Sequence, residues 1–126
     1  MTIALWAVQI LLALVFLGAA VTKLKDDRLT YAAARPPSTS YAEDLSDGMF
    51  KTIGVLELLA AVGLVLPWAT GVAPWLTPLS AAGLAAVMVG AIITHARRGE
   101  RQPIALTVIL LLASLFVAVG RFVELG

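Results

Sequence analysis

The sequence predicts an all-α membrane protein, an antiparallel bundle of four transmembrane helices. Three observations carry that expectation. Of the 126 residues, 60% are apolar and only 13% are charged, where a soluble domain carries about a quarter charged residues. The apolar residues gather into four runs long enough to cross a bilayer, and most charges fall between or beyond them. Lys and Arg, finally, divide unequally between the two sides that four crossings create.

The first run is residues 3–22, Ile3 to Thr22, with no charge and one amide, Gln9. At the helical rise such a run covers roughly 30 Å, the thickness of the hydrocarbon layer. A secretory signal is the rival reading, but no Lys or Arg precedes the run and it is long for such a segment. A retained helix is expected. Gln9, Ala13, Phe16, Ala20 and Lys23 share one of its faces. That face suits close packing, with Lys23 either snorkelling to the headgroups or reaching back towards Glu57.

Residues 23–48 are the only polar block. Asp27 to Ala34 predicts a short surface helix, Arg35-Pro36-Pro37-Ser38 breaks it, and Ser46 or Asp47 caps the next span. Basic and acidic residues balance, so the block is no polybasic lipid-binding patch. A solvated linker is expected rather than a lid.

The second span is residues 49–66, with Pro67 stopping it. It carries Glu57, about 12 Å from either end by helical rise. An isolated ionised carboxylate in hydrocarbon is costly, so Glu57 is expected to face the bundle interior and find a partner. Gly54 and Ala61 share its face and let a neighbouring helix come close. Pro67, Gly71, Pro74 and Pro78 then make a turn, with Trp68 and Trp75 as an interfacial aromatic belt.

The third span, residues 79–95, places Gly83, Val87, Gly90 and Thr94 on one face, suited to packing within the bundle or across a homo-oligomer. His95 to Arg101 ends it at the membrane surface. The fourth span, residues 103–121, opens with Pro103 in its first turn. Thr107, Leu111, Ser114, Ala118 and Arg121 form a polar stripe on it that is expected to point inward. The first and third connections, together with Lys51 at the start of the second span, hold eight of the nine Lys and Arg residues, leaving only Arg121 for the other side. The positive-inside rule therefore puts the connections 23–48 and 96–102 in the cytoplasm and both termini outside, in a multi-pass protein of the inner (plasma) membrane. Length allows one domain, residues 1–126.

Composition also excludes. Without cysteine, the chain cannot hold a disulfide, a thiolate zinc site or an iron–sulfur cluster. His95 is the only histidine, and no metal site is expected. A net charge of +1 gives no footprint for nucleic acid. Any redox role would rest on a diffusible cofactor or one borne by another protein.

Taken in order, the polar and small residues resemble the DoxX-like family of small four-helix membrane proteins. The resemblance runs through Gly18-Ala19-Ala20-Val21-Thr22-Lys23-Leu24, Ile53-Gly54-Val55-Leu56-Glu57, Gly63-Leu64-Val65-Leu66-Pro67, the segment Gly90 to Glu100 and Val119-Gly120-Arg121. It implies a four-helix membrane bundle. It also implies kinship with a quinone-linked thiosulfate oxidoreductase subunit, a component of a membrane oxidoreductase complex and an assembly chaperone for receptors. Those roles differ in kind, so the site must decide between them.

Glu57 and His95 are the candidate catalytic groups, as proton donors or acceptors, with Lys23, Ser114 and Arg121 as candidate ligand-binding residues. The leading expectation is an accessory component of a membrane redox system that binds a quinone-like or other lipophilic molecule near Glu57, the quinone held non-covalently. One alternative is a cofactor-independent membrane enzyme with isomerase-type acid/base chemistry. Another is a non-catalytic assembly or binding protein, with the Gly83/Gly90 face as a homo-oligomer contact. Glu57 can also serve packing alone, bonded to Ser114, Thr107 or a backbone carbonyl, and Arg121 either pairs with it or anchors at the interface.

Overall fold

A computed structural model of the protein describes residues 2–36 and 39–125. The elements are α1 (Thr2–Lys25), a short α2 (Arg28–Ala34), a 3-10 helix over Ser40–Asp44, α3 (Asp47–Thr70), α4 (Leu76–Arg97) and α5 (Gln102–Leu125). There is no strand among the described residues. The four long helices are each long and apolar enough to cross a membrane, so the chain is a multi-pass membrane protein.

Helix α1 packs mainly on α3, α3 on α4, α4 on α5, and α1 more lightly on α5. Leu12, Phe16, Ala61, Leu64, Ala81, Leu84, Met88 and Val117 fill the space between them. Leu and Ile residues such as Leu11, Leu14, Leu59, Ile109 and Leu112 face outward. Gln9, Lys23, Glu57, Ser114 and Arg121 are buried. This is the distribution a lipid solvent dictates, because apolar side chains lose nothing by facing it and polar ones lose much. The stripe on α5 points inward as expected, burying Thr107, Ser114 and Arg121.

The helix ends are specified locally. Asp27 caps α2 by accepting from the Thr30 amide at 2.6 Å, and Ser46 caps α3 by accepting from the Met49 amide at 3.1 Å. The C-terminal end of α1 is finished from another helix. Lys51 Nζ, on α3, donates to the carbonyls of Lys23, Leu24 and Asp26 at 2.7, 3.2 and 2.6 Å. Its charge also suits the negative end of the helix dipole.

Two expectations need correction. Pro67 does not stop the second span. Helix α3 runs through it to Thr70 and ends where Gly71 turns left-handed, at φ 73°. A proline inside a helix leaves the carbonyl four residues back without its donor. Here that carbonyl belongs to Gly63, and the Thr77 hydroxyl of α4 donates to it at 2.9 Å. With the freed group satisfied, the helix has no reason to break. Helix α4 likewise begins earlier than expected and carries Pro78 in its first turn, where an N–H has no intrahelical acceptor anyway.

The polar connection is not a solvated linker either. Tyr31, Ala32 and Ala42 are buried in a small core with Phe50 of α3, and Tyr41 packs against it. Arg28 stitches the segment together, donating from Nη1 to the carbonyls of Ala42 and Glu43 at 3.1 and 2.9 Å and from Nε to Asp47 at 3.0 Å. Two tyrosines spaced ten residues apart supply enough apolar surface to close the segment over one end of the bundle. No short-period pattern announces them. Of the expected helix break, Pro37 and Ser38 lie outside the described residues.

Helices α3 and α4 approach closely at Gly63, where an added Cβ would lie 2.1 Å from Ser80 Oγ and 3.1 Å from Ser80 Cβ. At Gly83 and Gly90 nothing lies within 4 Å of an added Cβ, so that face of α4 is unused inside the bundle. Gly63→Val should therefore destabilise the protein by about 1–3 kcal/mol through overpacking, while Gly90→Ala should be neutral or slightly stabilising. Unfolding midpoints of the two variants in the same detergent check this.

Candidate functional site

The buried charges sort into two groups, one near each end of the bundle. The first is built on the C-terminal turn of α1 and the middle of α3. Gly54 stands one turn before Glu57, and an added Cβ there would lie 3.1 Å from Lys23 Cβ. The bare backbone of Gly54 thus brings the two helices close enough for Lys23 to fold back along α3. Lys23 Nζ meets Glu57 Oε1 at 2.8 Å, with the two side chains only 4% and 5% exposed. At that distance the ammonium meets the carboxylate directly, and Oε1 is fully buried.

The closed connection roofs this pair. The Tyr31 ring lies 5.1 Å from Lys23 Nζ, a cation–π contact. The Tyr31 and Tyr41 hydroxyls are 3.2 Å apart, and the Tyr41 ring stands edge-on to His95 at 5.5 Å. Burial pushes the Tyr41 phenol well above its usual range, with Tyr31 and the Glu57 charge adding to it, so Tyr41 stays a neutral donor and acceptor. Beyond it, His95 Nδ1 donates to Glu100 Oε1 at 2.9 Å and Arg98 Nε donates to Glu100 Oε2 at 3.0 Å. Arg98 also bonds Asp44 of the connection. Burial alone would raise the Glu100 carboxyl, but the hydrogen bonds and charges of His95 and Arg98 hold it below its usual value.

The second group lies at the other end. Arg121 is 0% exposed. Its Nε bonds Gln9 Oε1, its Nη1 donates to Glu124 at 2.7 Å, and its guanidinium lies 4.5 Å from the Trp68 ring and 5.2 Å from that of Trp6. Gln9 in turn donates to the Leu64 carbonyl at 2.6 Å. The guanidinium thereby ties α1, α3 and α5 together.

Lys23 and Glu57 are therefore brought together, while Arg121 pairs with Gln9 and Glu124 and does not meet Glu57. Ser114 and Thr107 donate back to carbonyls of their own helix, those of Leu110 and Pro103, at 2.8 and 2.7 Å. Neither hydroxyl answers Glu57. His95 makes no direct bond to Glu57 either, and Tyr41 touches His95 while lying within the field of the carboxylate. Sequence reasoning missed Tyr31, Tyr41 and Glu100. The one available signal was that the only two tyrosines both sit in the polar block.

Along α3 and α4 runs a groove of about 450 Å³, within the range of about 300–1,000 Å³ typical of small-molecule sites. Glu57 and Ser80 are its polar side chains, and Leu59, Ala60, Leu84 and Val87 are among its apolar ones. The site thus offers a carboxylate on the wall of an apolar groove, held from behind by Lys23. It can receive a polar head attached to an apolar body, and it can hold a proton near that head.

The sequence model of the DoxX-like family matches residues 7–117, and the chain belongs to that family. No curated protein and no solved structure matches it.

Two outcomes follow from the ion pair and the His95–Glu100 cluster. Lys23→Met alone leaves a buried carboxylate without its cation and should destabilise the protein by about 3–5 kcal/mol, whereas Lys23→Met/Glu57→Gln should recover most of that loss. Unfolding of the single and double variants in detergent measures both. Glu100 has a folded pKa below its unfolded value of 4.5, so its contribution is complete above pH 4.5 and disappears as pH falls through the lower folded value. Hydrogen exchange in residues 28–35 and 39–44 should rise over that acidic window, and Glu100→Gln should show the raised exchange already at neutral pH.

Proposed function

We propose that this member of the DoxX-like family binds a quinone-like or other small lipophilic molecule beside Glu57, as an accessory component of a membrane redox system. The observation that carries the reading is Glu57, paired with Lys23 inside the bundle and itself lining the α3–α4 groove. Ionisable groups kept inside a membrane bundle are functional candidates by default, since packing alone is served more cheaply by apolar residues. Quinone reduction needs protons as well as electrons. Glu57, the two tyrosine hydroxyls and His95 supply groups able to hold and pass protons, and the electrons come from a redox protein beside it.

In this reading the Lys and Arg asymmetry sets the orientation. Both charged connections lie on the cytoplasmic side and both termini outside, so the roof of Tyr31, Tyr41 and His95 faces the cytoplasm and the Arg121 cluster the outer surface. A second reading, a non-catalytic assembly protein, is favoured by one observation. The Gly83 and Gly90 face of α4 is bare and unpacked, as a helix-docking face would be.

The test is chemical. Organic extracts of the purified protein should contain quinone. The folded variant Lys23→Met/Glu57→Gln should retain about tenfold less or lower still, the loss expected for one hydrogen bond to a charged group. Quinone-free extracts together with unaltered respiration in a deletion strain would sink the redox reading.

A further inference from the structure

At the turn between α4 and α5 the chain sets three arginines within five residues, and the fold treats them differently. Arg98 turns inward and is held by Asp44 and Glu100. Arg97 and Arg101 are exposed. We infer that these two form a headgroup site for an anionic phospholipid, sharing its phosphate while its acyl chains lie on the outward faces of α4 and α5.

The charge balance at this end of the bundle is the first ground. In the sequence its acids nearly match its Lys and Arg residues. In the folded chain most of those acids already have partners. Glu57 pairs with Lys23, Asp47 with Arg28, Asp44 with Arg98, and Glu100 with both His95 and Arg98. Asp27 caps α2, which leaves Asp26 and Glu43. Among the described residues no carboxylate lies within ion-pair distance of Arg97 or Arg101. Two cations thus face outward uncompensated, and the planar fork of a guanidinium matches the oxygens of a phosphate.

Position is the second ground. Helix α4 has 22 residues and covers about 33 Å, so its last residue, Arg97, stands at the level of the headgroups. Gly99, at φ 71°, lets the chain reverse, and the Glu100 amide closes the turn on the His95 carbonyl at 2.9 Å. Arg101 therefore stands at the same level, just before α5 re-enters the membrane. One turn below Arg97 on its own face is Ile93, 47% exposed, and the outward side of α5 carries Leu106 and Ile109 at 60% and 61%. The charges sit above apolar surface that faces lipid. A soluble acidic partner would meet only the charges, whereas a phospholipid meets both. The other exposed cations at this end lack that arrangement: Lys25 is followed by Asp26 and Asp27, and Arg35 belongs to the closed connection rather than to a span. The site shares no residue with the α3–α4 groove and stands whether or not a lipophile binds there.

Native mass spectrometry of the delipidated protein in detergent, titrated with phosphatidylglycerol or with phosphatidylcholine of the same chains, tests this. Phosphatidylglycerol should bind about 30-fold more tightly, the gain expected from two arginines near an anionic headgroup. Arg97→Gln/Arg101→Gln should erase that preference with an unchanged unfolding midpoint. Lys25→Gln/Arg35→Gln removes the same charge from the same end and should leave the preference in place. Equal binding of the two lipids to the unaltered protein overturns the inference, whatever the variants do. An equal loss in both double variants also overturns it, because the attraction is then to net charge and not to a site. Displacement of the lipid by millimolar inorganic phosphate shows a free-anion site instead. An Ile93→Cys variant that crosslinks into dimers in the membrane, unaffected by phosphatidylglycerol, shows a second copy of the chain on that face and overturns it as well.

Discussion

Two opposite charges meet at 2.8 Å where neither touches solvent, and much of the bundle exists to make that contact tolerable. Taking either group out of water costs several kcal/mol, and the mutual attraction repays it only when the surroundings are well arranged. Gly54 removes the side chain that would hold α1 and α3 apart. Lys51 occupies the carbonyls at the end of α1, so the turn that carries Lys23 is anchored to the same helix that carries Glu57. Tyr31 lays an aromatic face over the ammonium. Each of these acts on the position of Lys23. The pair is better understood as a device that fixes where a charge sits than as a source of net stability.

The same scarcity of water organises the rest. In hydrocarbon a backbone group that loses its helical donor must find another from the protein. Pro67 frees the Gly63 carbonyl, and a threonine on the next helix answers it. At the opposite end Arg121 draws together Gln9, Glu124 and two indole rings, and Gln9 passes the connection on to α3. Apolar packing in a membrane is hardly better than contact with lipid, so such cross-helix bonds and close glycine contacts decide which helices are neighbours.

What the sequence made legible was whatever repeats at helical spacing. The four spans, the caps at Asp27 and Ser46, and the inward stripe of Thr107, Ser114 and Arg121 all follow from local rules. Pro67 was misread because its effect depends on Thr77, ten residues on and in another helix. The closed connection was misread because its burial rests on two aromatic side chains that touch only after the segment folds back. The polar residues were found, and the Lys23–Glu57 contact stood among the alternatives, but the choice between those alternatives was not legible. Which of Lys23, Ser114 or Arg121 reaches Glu57 depends on helix stagger, and spacing along one helix says nothing about stagger between two.

The Thr77–Gly63 bond has a consequence for the shape of the groove. It pins α3 to α4 six residues beyond Glu57 along α3, about 9 Å at the helical rise. The groove continues past the bond, since Pro67 and Leu76 also line it, while Thr77 itself does not. The spacing of the two walls is therefore set part of the way along them by a hydroxyl that stands outside the space it gauges. Such a clasp couples the width of a hollow to a proline about three turns from its carboxylate.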